Sequence, residues 1–160
     1  MTEWAGFFAA SAGAAAGLTG LIIVAMSVNI GTIISIPGMT SRAGATIAAL
    51  VLAVVSSSAA LIPDQPAALL GVEVLVVGLG AGFFAVDSSY RVVAARGTGT
   101  LRAAAAKSLV MLLQVAPFIV GGVLLVADHP AGLGWIAAGI LSVFVGSVLN
   151  AWVLLVEILR

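Results

Sequence analysis

Cysteine is absent from this chain, which excludes disulfides and thiolate chemistry and leaves the redox character of its compartment unmarked. Charge is almost as scarce: 8% of residues are Asp, Glu, Lys or Arg, against about a quarter in a typical soluble domain. The 6 basic and 6 acidic residues balance, so the excess of Lys and Arg that phosphate binding needs is missing and no nucleic-acid partner is expected. The 1 histidine, His129, stands beside Asp128 with nothing near it to complete the three or four convergent ligands of a metal site. No metal and no cofactor are expected.

What is present is apolar: 62% of the 160 residues are hydrophobic, in runs long enough to cross a bilayer at about 20 residues each. The fold class expected is all-α, one integral membrane domain over residues 1–160 with five transmembrane helices at about 4–30, 41–62, 67–96, 100–127 and 133–160. Glu3 stands where a cleavable signal peptide carries basic residues, so the first run is expected to be a retained helix. Gly31, Pro37 and Gly38 should end it, and Thr40 or Ser41 should cap the second. "PDQP" closes that run, with Pro66 placed for the first turn of the third, which should continue to Arg96 with Asp87 and Arg91 one turn apart. Thr100 is a candidate cap for the fourth run, and "DHPAGLG" turns the chain into the fifth. Trp135 and Trp152 lie where interfacial anchors belong.

Five crossings place Arg42, Arg91, Arg96, Arg102, Lys107 and Arg160 on one side and Glu3, Asp64, Asp128 and His129 on the other. By the positive-inside rule the N-terminus is outside, the C-terminus is cytoplasmic, and the protein is a multi-pass component of the cell membrane, in a bacterium the inner one. The basic segment from Arg91 to Lys107 could attract anionic headgroups, but topogenic charge accounts for it. No internal repeat is visible, and an odd number of helices is incompatible with a whole-chain inverted repeat.

Two motifs imitate enzymes. "VLVVGLGAGF" resembles the opening of a dinucleotide-binding unit at Gly78 and Gly80, but Phe83 replaces the third glycine and no acidic residue follows at the ribose position. Ser56, Ser57 and Ser58 cluster like nucleophiles, yet no intramembrane His or Lys could act as their base. The chain is therefore not expected to be an enzyme.

Gly78 and Gly82 instead form GxxxG, where missing side chains let two helix backbones approach. In the first helix Ser11, Ala15 and Thr19 form one stripe and Ala9, Gly13 and Gly17 an adjacent one; in the fifth, Ala138, Ser142, Gly146 and Asn150 repeat the same four-residue interval. These two helices are expected to be central, with hydroxyl and amide groups bonded across the bundle.

The intramembrane polar residues sort by depth. Ser11, Ser56 to Ser58 and Glu73 fall in the outer half, Gln114 and Asn150 in the inner half. Glu73 is the costly one, since an ionised carboxylate near the hydrocarbon centre costs about 3 kcal/mol on insertion scales. It should face the protein, snorkelling to the outer surface, bonding a serine of the second helix while protonated, or remaining ionised in a wet cavity. Pro117, midway along the fourth helix, removes a backbone donor and is a candidate hinge or fixed bend, with Gln114 placed to satisfy a freed carbonyl.

"GAAAGLTGLIIVAMSVNI" followed by "IPGMTSRAGATIAALV" resembles the N-terminal half of small, largely uncharacterised multi-span proteins seen mostly in actinobacteria. The likeness covers about residues 7 to 55 and rests on a glycine-rich first helix, Ser27 and Asn29 at its end, and Pro37, Gly38, Arg42 and Ala43 leading into the second; "GVEVLVVG" at 71 to 78 adds a looser match. Some such proteins are labelled as modulators of a membrane-anchored AAA protease, a label that belongs to a larger family with more helices. The expected function is a non-enzymatic membrane protein that packs with itself or with other membrane proteins in the lipid bilayer, affecting their assembly or turnover. The alternative is a small oligomeric channel or proton-linked transporter that uses Glu73.

Overall fold

The computed structural model describes residues 2–35, 39–95 and 101–158, and side chains for all of these except 2, 42, 88–95, 101–111 and 153–158. Pro37, Gly38, Arg96, Thr100 and Arg160, to which breaker, helix-end and cap roles were assigned above, lie outside the described residues, as do the side chains of Arg91 and the other basic residues.

A 3-10 turn, Thr2–Trp4, leads into α1 (Ala5–Val28), followed by the short α2 (Ile30–Ser35) and by α3 (Met39–Ala59), α4 (Ala67–Ala95), α5 (Leu101–Val126) and α6 (Gly132–Ile158). Among the described residues there is no strand. Four helical segments are long and apolar enough to cross a membrane: Ala5–Val28, Met39–Ala59, Ala67–Asp87 and Gly132–Trp152. At 1.5 Å per residue, 21 residues span about 30 Å, the thickness of a hydrocarbon core. In α5 the apolar part among residues with described side chains is Leu112–Val126.

Helix ends depart from the expected positions in three places. The first break falls at Asn29, not at Gly31, because the Asn29 amide bonds back to the Ala25 carbonyl at 2.9 Å and its backbone N–H to Met26 at 3.2 Å, an alternative to continuing the helix. Gly31 lies inside α2, whose Ile33 is buried with Met39 against Met26. Thr40 and Ser41 sit within the first turn of α3, which already starts at Met39. Pro66 stands one residue ahead of α4, its carbonyl accepting from Leu69 at 3.0 Å and Leu70 at 3.2 Å.

The turn between α5 and α6 is built by Asp128 and His129. Asp128 takes a left-handed backbone (φ 55°), its N–H bonds to Leu125 O at 3.0 Å and that of His129 to Leu124 O at 2.8 Å, which is the Schellman way of satisfying a helix's last carbonyls. His129 Nδ1 then accepts from the Ala131 N–H at 3.2 Å, just ahead of α6. Asp64 adopts the same left-handed conformation (φ 54°) in the α3–α4 turn.

α3, α4, α5 and α6 pack in sequence, α6 returns against α3 to close a four-helix unit, and α1 lies outside, mainly on α3. The expectation that α1 and α6 are both central is thus half corrected. The α1 span is 22% buried, whereas those of α3 and α6 are 53% and 50% buried. α1 turns Phe8, Ser11, Ala15 and Ile22 inward, so its Ser11–Ala15–Thr19 stripe meets the protein while Ala9, Gly13 and Gly17 face out. The close approaches are made at seven-residue intervals instead of four. Gly132, Gly139 and Gly146 of α6 meet Gly121, the Phe118 ring and the Gln114 amide of α5, and Gly71 and Gly78 of α4 meet Gly122 and Ile119 on the other side of α5. Seven residues is the repeat of a seam between helices that run alongside each other at a shallow angle, whereas GxxxG suits a steeper crossing. A Cβ on Gly121 would stand 2.8 Å from the Gly132 carbonyl oxygen and one on Gly71 2.7 Å from that of Gly122, so backbone meets backbone. Gly78 is held by Ile119 at 3.1 Å, while Gly82 has only Val115, at 3.7 Å.

Gly121→Val should therefore destabilise the fold by about 1–3 kcal/mol through overpacking. Gly13→Val, whose Cβ meets nothing within 4 Å, should leave unfolding of the monomer in detergent within about 0.5 kcal/mol of the parent.

Candidate functional site

The contacts of Gly71 with Gly122 and of Gly121 with Gly132 put the start of α4, the end of α5 and the start of α6 at one end of the bundle. Glu73 belongs to that end. Two turns into α4, it is half-buried, and its Oε2 accepts a 2.6 Å hydrogen bond from Gln65 Nε2. A helical side chain leans toward its own N-terminus, so the carboxylate reaches toward the turn, where Gln65, between two prolines, is 7% exposed. The partner of Glu73 is the amide of Gln65, not a serine of α3.

The three serines separate. Ser58 is exposed and lines a groove of about 620 Å³ between α3 and α4, which Glu73 also lines and whose remaining walls are apolar, Val54, Val55, Ile62 and Val76 among them. Ser56 and Ser57 are wholly buried, and their Oγ atoms have no hydrogen-bond partner. Other hydroxyls bond within their own helix. Thr19 bonds to its own helix at Ala15 O (2.7 Å), Ser27 at Ile23 O (2.8 Å) and Ser142 at Gly139 O (2.7 Å). A hydroxyl can reach a carbonyl one turn back without any partner helix, and that local bond wins.

The other polar set lies in the opposite half, where all four helices of the closed unit converge. Asn150 of α6 donates from Nδ2 to Thr46 Oγ1 of α3 at 3.3 Å, a bond between helices that links side chains distant in sequence. Gln114 of α5, 6% exposed, lies over Gly146, its amide filling the space a Cβ would need. Gln114 does not satisfy a carbonyl freed by Pro117: its Nε2 has no partner, and α5 runs without interruption through a half-buried Pro117. Thr46, Gln114 and Asn150 line a void of about 10 Å³ whose other walls are small, Ala45, Ala49, Ala81 and Ala85, with Val115.

Sequence reasoning picked out Glu73, Gln114 and Asn150 but missed their partners, Gln65 and Thr46. For Gln65 the available signal was an amide held between prolines close to the one deep acid; for Thr46 there was none. Among the described residues no three His, Asp or Glu side chains gather as a metal site. No protein-family model, curated protein or solved structure matches the chain.

Glu73→Leu should cost about 1–3 kcal/mol in stability by leaving the buried Gln65 amide without its acceptor. Glu73→Gln, which keeps a carbonyl oxygen for that amide, should cost measurably less in the same unfolding titration.

Proposed function

We propose that this chain is a non-enzymatic multi-pass protein of a bacterial inner membrane that associates laterally with a second copy or with other membrane proteins, through the outward face of α1, and influences their assembly or turnover. The observation that carries this reading is the state of that face: Gly13, Gly17 and Gly20 are exposed, with nothing within 4 Å of the position of a Cβ. In lipid, where apolar surface alone does not drive helices together, such a strip lets another backbone come close enough for dispersion contacts and Cα–H···O bonds to accumulate.

The topology belongs to the same proposal: five crossings, the 26-residue α5 included, with the N-terminus outside and the basic segments cytoplasmic. A channel or proton-linked transporter built on Glu73 receives less support. Glu73 and the Gln114–Asn150 layer occupy opposite halves, and Leu52 and Phe118, both 0% exposed and packed about Gly78, lie at the level between them.

Two measurements test the proposal. A cysteine placed at Gly13 should give intermolecular crosslinks in native membranes that Gly17→Leu abolishes without lowering monomer stability; crosslinks at the level of random collision would refute lateral association. Impermeant labelling of cysteines at positions 64 and 102 should reach only the first from outside the cell, and labelling of both from one side would refute the five crossings.

A further inference from the structure

A void with polar walls at the meeting point of four helices calls for an occupant, and its size limits what that can be. The space among Thr46, Gln114 and Asn150 is about 10 Å³, the volume accessible to the centre of one water molecule and of nothing larger. An apolar void of this size stays dry, but a water with two to four polar partners is retained. Three polar side chains from α3, α5 and α6 reach this one, and Gln114, nine-tenths buried, has an Nε2 amide with no acceptor. Asn150 uses its Nδ2 on Thr46, which leaves its Oδ1 as an acceptor.

We propose that a single ordered water occupies this void, accepting a hydrogen bond from Gln114 Nε2 and donating to Asn150 Oδ1, which is itself tied to α3 through Thr46. It completes a network of three side chains and one solvent molecule that joins α3, α5 and α6 about two turns inside α3. The walls explain why there is room. Ala45, Ala49, Ala81 and Ala85 are the smallest side chains that continue a helix without glycine's entropy cost, and the absence of a side chain at Gly146 lets the Gln114 amide lie across α6 toward Asn150. The inference does not depend on lateral association, because every residue it uses lies inside one chain.

The chain contains two glutamines, Gln65 and Gln114, so ¹⁵N-glutamine labelling gives two side-chain amide pairs, told apart by the Gln65→Asn variant. In detergent micelles prepared in H₂O, the Gln114 amide should show a cross-peak to a water that resides far longer than surface solvent. Asn150→Leu and Ala81→Val, which respectively remove an acceptor and fill the void, should each reduce that cross-peak at least fivefold. The Gln65 amide, at the other end of the bundle, reports in the same spectra that each variant is folded. A Gln114 amide with cross-peaks only to protein protons, or a water cross-peak unchanged in both variants, would overturn the proposal.

Discussion

The fold depends on how closely α5 is approached by its neighbours. Gly121 and Gly122 present bare backbone to α6 and α4 at once, and Gly132 and Gly71 answer with bare backbone of their own. Further along, Gly139 receives the Phe118 ring and Gly146 the Gln114 amide, so one column of glycines accommodates first a main chain, then an aromatic, then a polar group. In a bilayer, where lipid tails are as apolar as leucine, such shape matching supplies the cohesion that a soluble bundle draws from water exclusion. The consequence is selective: the four helices that share these columns form a closed unit, and α1, whose glycines face outward, stands beside it.

Polar groups follow a second division. Thr19, Ser27 and Ser142 bond to carbonyls of their own helix and so contribute nothing to the choice of neighbours, whereas the buried hydroxyls of Ser56 and Ser57 have no partner. The longer polar side chains Gln65, Glu73, Gln114 and Asn150 gather in two places, one at the rim beside the α3–α4 turn and one in the opposite half of the bundle. The rim pair lets a carboxylate be tolerated in an apolar chain by moving it toward the surface and giving it an amide donor. The second cluster does the opposite work, placing amides where four helices converge around a small gap.

The helices themselves were legible because hydropathy and the glycine–proline punctuation are local signals; α4 begins at the residue expected, and α5 ends and α6 begins within one residue of the expected positions. Asn29 shows where this fails, since a side chain that bonds back to Ala25 ends the helix two residues ahead of the glycine that seemed to. The choice of the central helix was not legible. Small residues on α1 and on α6 look alike in sequence, and only the three-dimensional partnering shows that α3, with no glycine past Gly44, carries the larger buried share. Gly132, Gly139 and Gly146 were equally visible as letters, but the four-residue rule draws the eye to Gly78 and Gly82, whereas near-parallel seams repeat every seven. Gln114 was singled out for the right chemistry and assigned the wrong partner, because its distance from Pro117 along the chain says nothing of Gly146 across the interface.

The self-contained hydrogen bonding of α1 bears on how the molecule is made. α1 precedes the closed unit in the chain and is therefore made before it. Thr19, Ser27 and Asn29 are already satisfied by its own carbonyls, at 2.7, 2.8 and 2.9 Å, so they impose no penalty before that unit forms. The compact core can thus assemble after a helix that needs no rescue from it.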